Sequence, residues 1–151
     1  MLSHYQMKEI PYLRILGRSN GSLEPVTLFW TASGIELNVK ATEIWVKIRS
    51  DYDVFEPWVD VNVDGVLSQR LMVNKGEQEI CLFRNMERDK VRNVKLLRDT
   101  PAFPTDEKTL LQLLEVETDG EFLPLETPKL RLEVIVFDEE DLPHLRSIYP
   151  E

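Results

Sequence analysis

The sequence is short of the residues from which catalytic and structural devices are usually built. It has one cysteine in 151 residues, so no disulfide framework forms within the chain. Cys81 stands in Glu79-Ile80-Cys81-Leu82-Phe83, a strand pattern with no histidine beside it. It reads as a small buried or half-buried residue, not as an activated thiolate. Only two histidines are present, His4 and His144, each near a terminus. Neither is grouped with cysteines or a second histidine at metal-ligand spacing. The six glycines are scattered at turns, and neither a phosphate-binding glycine loop nor a Gly-x-Ser-x-Gly elbow occurs. Positive charge is scarce: 18 Lys and Arg against 27 Asp and Glu give a net charge of −9, which argues against nucleic acid as a partner. Lys90, Arg92, Lys95 and Arg98 crowd one stretch, but at strand spacing they divide between two faces. No apolar run has the length of a membrane-spanning helix, and the first 13 residues lack the apolar core of a signal peptide. The expected location is the cytoplasm, or outside the cell if a leader was removed.

What the sequence does have is a side-chain period of two. Hydrophobic residues make up 42% and charged residues 30%, the balance of a folded domain. Ile35, Leu37 and Val39 share one strand face. So do Ile44, Val46 and Ile48, and then Val59, Val61 and Val63 in Trp58-Val59-Asp60-Val61-Asn62-Val63. Asp64-Gly65 reads as a hairpin turn whose two central residues take positive φ. Ser33-Gly34 and Asp119-Gly120 read as further hairpin-type turns. Strands are also expected over 66–73, 77–83, 91–98 and 109–118, with a short helical turn within 85–90 and an irregular loop over 100–105. In 109–118 the spacing puts Leu110, Leu114 and Val116 on one face and Leu111 and Leu113 on the other. Short strands at roughly ten-residue spacing predict an all-β sandwich of antiparallel strands.

The end of the chain departs from this alternation. In Lys129 to Asp138, KLRLEVIVFD, the second half is nearly continuously apolar, as in a strand covered on both faces. The chain therefore divides into a sandwich over 1–128 and a linker strand with a C-terminal tail over 129–151, including a marginal helix from Glu139 to Tyr149. If a neighbouring domain is absent, an exposed apolar face is expected on 129–137 and on one side of 109–118, available for self-association.

One loop carries candidate site residues, Ser50-Asp51-Tyr52-Asp53-Val54-Phe55-Glu56-Pro57-Trp58. Asp51, Asp53 and Glu56 are hard oxygen donors of the kind calcium takes, although the spacing is not that of an EF-hand. Tyr52, Trp58 and, from an earlier segment, Trp30 are the aromatic surfaces on which a sugar ring stacks. The plainer reading is a packed loop in which Phe55 and Trp58 seal one end of the sandwich and the acids face water. Trp30 and Trp45 read more readily as core or inter-sheet packing than as ligand contacts. No cofactor is implied.

The order of several motifs resembles family 2 carbohydrate esterases, bacterial deacetylases of xylan, mannan and related sugars. The matching stretches are Ile15-Leu16-Gly17-Arg18, Leu28 to Val39 with its Trp-Thr-Ala-Ser-Gly, Ser50 to Trp58, Val63-Asp64-Gly65, and Thr118-Asp119-Gly120-Glu121-Phe122-Leu123-Pro124. Together they span roughly residues 13–136. The resemblance implies a jelly-roll variety of sandwich, standing N-terminal to a catalytic domain of the SGNH hydrolase type. In that family the linker strand leads into Gly-Asp-Ser, whose serine is the nucleophile. Here Val136-Phe137-Asp138 stands in that place. The resemblance therefore implies a non-catalytic accessory domain of an acetyl xylan esterase-like protein, with no catalytic residue carried over, because covalent acyl transfer needs a nucleophile, its base and oxyanion donors. Its expected partners are an SGNH-type esterase domain and a polysaccharide or oligosaccharide. A stand-alone carbohydrate-binding module, or part of a hydrolase whose catalytic half lies outside the chain, are the alternatives.

Overall fold

In a computed structural model, residues 1–130 are described; the expected linker strand from 131 onward, the tail helix and His144 lie outside them. The eleven strands are β1 (Ser3–Gln6), β2 (Arg14–Leu16), β3 (Val26–Thr27), β4 (Gly34–Lys40), β5 (Ile44–Asp51), β6 (Trp58–Val63), β7 (Val66–Met72), β8 (Gly76–Phe83), β9 (Val91–Arg98), β10 (Leu110–Thr118) and β11 (Glu121–Leu123). The first sheet runs β1-β10-β5-β8, with β3 also on β10. The second runs β11-β4-β9-β6-β7, with β2 also on β4. Every pair is antiparallel.

The period-two residues face inward as the sequence predicts. Ile35, Leu37 and Val39 from β4, Ile44, Val46 and Ile48 from β5, Val59 and Val61 from β6, and Val94 and Leu96 from β9 are all buried between the sheets. This inter-sheet layer is the single core, and its burial is the main force joining the two sheets. Val63, at the end of β6, is only partly buried.

The connections decide the architecture. Among the described residues only β6 and β7 form a hairpin, through Asp64 (φ 52°) and Gly65 (φ 81°), the turn expected from the sequence. Each of the other connections between successive strands passes from one sheet to the other, the lacing of a jelly-roll-like sandwich. Two expected hairpins are therefore corners. Ser33-Gly34 joins β3 to β4, and Asp119-Gly120 joins β10 to β11, in each case across the sheets. The second corner shows why Asp-Gly suits it. The Asp119 carboxylate accepts hydrogen bonds from the Thr42 amide (2.9 Å) and the Arg88 guanidinium (2.8 Å), tying it to the β4–β5 corner. A side chain on Gly120 would place its Cβ 1.9 Å from the Lys40 carbonyl oxygen.

Two further expectations are corrected. The segment 85–90 forms a turn, with the Lys90 amide bonding the Glu87 carbonyl at 3.4 Å, and no helix. In β10 a bulge at Leu114 shifts the register between Leu113 and Glu115. The extra residue reverses the alternation, so Val116 joins Leu111 and Leu113 in the core. The outer side of β10 carries Gln112, Glu115 and Glu117 beside half-buried Leu110 and Leu114, not the exposed apolar stripe anticipated.

Candidate functional site

The loops after β3, β5 and β9 gather at one end of the sandwich, and two buried ionic side chains hold them there. Arg98 ends β9 at an inward position, continuing the parity of Val94 and Leu96, and is 2% exposed. Its guanidinium donates to the Leu28 carbonyl (2.8 Å), the Thr100 carbonyl (2.9 Å) and Thr109 Oγ1 (3.3 Å). One planar fork thus joins the loop before β4 to both ends of the loop between β9 and β10. Burial lowers the pKa of this guanidinium from its ordinary value.

Asp106 performs the matching task for the loop between β5 and β6. Its carboxylate accepts the amides of Asp53 (3.1 Å), Val54 (2.9 Å), Phe55 (3.0 Å) and Lys108 (3.3 Å). The amides of Phe55 and Val54 are the main cause of a carboxyl pKa lowered to about 2. The loop therefore wraps a carboxylate supplied by a distant segment.

The aromatic residues sit on this frame. Trp30 is 58% exposed, so its reading as a core residue is corrected: it rides a turn closed by the Ser33 amide on the Trp30 carbonyl (3.0 Å), with Ala32 at φ 66°. The Ala32 amide bonds the Arg98 carbonyl (2.8 Å), and the Arg98 amide bonds the Ser33 carbonyl (2.8 Å). On the other side of β9, the Asp99 amide bonds the Trp58 carbonyl (2.8 Å) and the Trp58 amide bonds Thr100 Oγ1 (3.1 Å). Trp30 and Trp58 thus flank the same end of β9. Phe55 and Phe103 meet with ring centroids 4.3 Å apart, and Lys75 Nζ lies 5.1 Å above the Tyr52 ring. Phe29, Val54, Phe55 and Phe103 are partly exposed here as well. Trp30, Tyr52 and Trp58 share this end of the sandwich, and among the described residues no aromatic ring pair joins two of them. Trp45 lies elsewhere, half-buried on β5 with its Nε1 donating to Glu43 (3.0 Å).

Asp51, Asp53 and Glu56 each face a different partner. Asp51 accepts the Tyr52 amide at 2.9 Å, Asp53 pairs with Lys108 at 3.1 Å, and Glu56 accepts Trp58 Nε1 at 3.4 Å. They do not converge on one point. Cys81 lies half-buried on β8, and burial raises its thiol pKa, which keeps it protonated near neutrality.

Sequence reasoning overlooked Arg98 and Asp106 as organisers of this end. Arg98 was visible as a charge at an inward strand position. Asp106 had no comparable signal, because its partners are backbone amides some fifty residues away in sequence.

No family model matches the chain, and no curated protein matches it. Solved structures do. An acetyl xylan esterase, Est2A, from the rumen bacterium Butyrivibrio proteoclasticus superposes with a TM-score of 0.82 at 32% identity, over 85% of this chain and 35% of that one. Several of the structural relatives are family 2 carbohydrate esterases. A family 2 enzyme from Cellvibrio japonicus matches with a TM-score of 0.69 at 15% identity, over 84% of this chain and 36% of that one. One from Clostridium thermocellum, solved in complex with cellohexaose, matches with a TM-score of 0.65 at 24% identity, over 77% and 34%. The latter two share the fold alone. The chain spans about a third of the length of these three enzymes.

Proposed function

We propose that this chain is the non-catalytic β-sandwich of a carbohydrate-esterase-like protein, packing against or supporting an SGNH-type sugar deacetylase domain. One observation carries this reading. At 32% identity, 85% of the chain superposes on only 35% of the acetyl xylan esterase, so the likeness covers a sandwich and leaves most of that enzyme unmatched. The chemistry of Cys81 agrees with a supporting role, since its half-buried thiol, with a pKa raised by burial, is not an activated nucleophile. The test is a chimera in which this chain replaces the matched segment of the Butyrivibrio esterase. The chimera is expected to fold and hydrolyse 4-nitrophenyl acetate, while the chain alone does not exceed buffer. Turnover by the isolated chain would instead support the hydrolase alternative.

A carbohydrate-binding module is the second reading, favoured by Trp30, an exposed indole on a tightly bonded turn. One structural neighbour was solved with cellohexaose. This reading expects cellohexaose or xylo-oligosaccharides to quench tryptophan emission, and Trp30→Ala to abolish the change without lowering the melting temperature. Unchanged emission across cello-, xylo- and manno-oligosaccharides would remove it.

A further inference from the structure

Away from the loop end, the outer face of the first sheet gathers a second set of reactive side chains. His4 of β1 stands directly opposite Glu117 of β10 in the strand register. The Leu114 bulge leaves Glu115 and Glu117 on the same outward side. His4 Nδ1 lies 2.6 Å from Glu115 Oε1 and 3.2 Å from Glu117 Oε1. Among the described residues, this is the one group in which three such ligand atoms all fall within 4.8 Å of one another. The neighbouring Tyr5 fixes the strand from the inner side, its ring meeting Phe122 edge-on at 5.0 Å. The imidazole is therefore delivered to the carboxylates by ladder register and core packing together.

We propose that His4, Glu115 and Glu117 form a binding site for a divalent transition-metal ion of the zinc type. Zinc bonds imidazole nitrogen and carboxylate oxygen at about 2.0–2.2 Å, which at tetrahedral angles separates two donors by about 3.4 Å. The His4–Glu117 spacing already fits, and the Glu115 carboxylate reaches it by a small side-chain rotation. The electrostatics favour a dication. Glu115 and Glu117 are only 20% and 13% exposed, and their ion-pair partner among the described residues is His4. Lys47, which faces Glu115 across the ladder, pairs instead with Glu77 at 3.5 Å. The imidazole donor selects a borderline metal over calcium or magnesium, which prefer all-oxygen shells. With His4 60% exposed, the fourth position opens to water.

The test uses the tag-free full chain, stripped with EDTA and titrated with Zn²⁺ by calorimetry and with Co²⁺ by visible absorption. One saturable site is expected, with the absorption bands of low-coordinate cobalt. Loss of a ligand costs at least as much as loss of a group that merely orients one, about 10- to 100-fold in affinity. His4→Gln, Glu115→Gln and Glu117→Gln should each weaken binding by that factor while the metal-free melting temperature holds. His144→Gln should leave it unchanged. Absence of saturation at millimolar Zn²⁺ would overturn the proposal, as would binding that survives all three ligand variants or vanishes with His144→Gln or Cys81→Ser.

Discussion

At the scale of single residues, two charges with no oppositely charged partner in contact among the described residues do unlike things. Asp106 is an anion solvated by backbone amides, and its depressed pKa ties the loop between β5 and β6 to pH. Because the folded carboxyl titrates near 2 and an unfolded one near about 3.9, its stabilisation is fully present above about pH 4 and is lost as the pH falls through about 2. Amide exchange at Asp53, Val54 and Phe55 should therefore stay slow at pH 4.5. Asp106→Ala should abolish that protection at every pH while the core strands keep theirs; unchanged exchange in the variant would refute the assignment. Arg98 is a cation solvated by two carbonyls and a hydroxyl. Arg98→Met strands those acceptors and should cost about 2–4 kcal/mol in urea unfolding. Arg98→Lys should recover little of it, because one ammonium does not reproduce a fork that bonds in three directions.

At the scale of elements, β10 is the strand where pattern and structure part. The bulge predicts opposite behaviour for adjacent leucines. Leu113→Asp puts a charge in the core and should unfold the protein, whereas Leu114→Gln should change the urea midpoint only slightly. Equal effects would place both side chains on one face. Most strands were legible because a sandwich strand with one wet side repeats every two residues: β9 ends where Val91 to Arg98 says it does, and Asp64-Gly65 makes the hairpin its φ values demand. The bulge was not, since Leu110, Leu111, Leu113 and Leu114 offer apolar residues to both parities, and one inserted residue reverses the sense. The corners at Ser33-Gly34 and Asp119-Gly120 were misread for a related reason. Turn residues announce that the chain reverses, not which sheet receives it. For the candidate site, the loop after β5 was visible as a cluster of acids and aromatics, but its organiser, Asp106, belongs to another loop and acts through amides that every sequence has.

At the scale of the whole molecule, the loop end and the His4 face lie on separate parts of the surface, so a partner at one leaves the other open. The lacing of the chain has a kinetic consequence. Because Asp64-Gly65 closes the single hairpin between successive strands of the described residues, nearly all their other pairing must wait for distant segments to meet. Refolding should take milliseconds to seconds, as it does for other sandwiches dominated by non-local contacts. The hairpin is the natural place to begin. Gly65→Ala, at φ 81°, should cost about 1 kcal/mol and appear as a roughly fivefold slower folding rate with little change in unfolding. Faster unfolding at an unchanged folding rate would place the nucleus elsewhere. The same lacing makes the two sheets inseparable as polypeptide. Any contiguous piece cut from residues 1–130 that extends the β6–β7 hairpin by even one strand takes strands from both sheets.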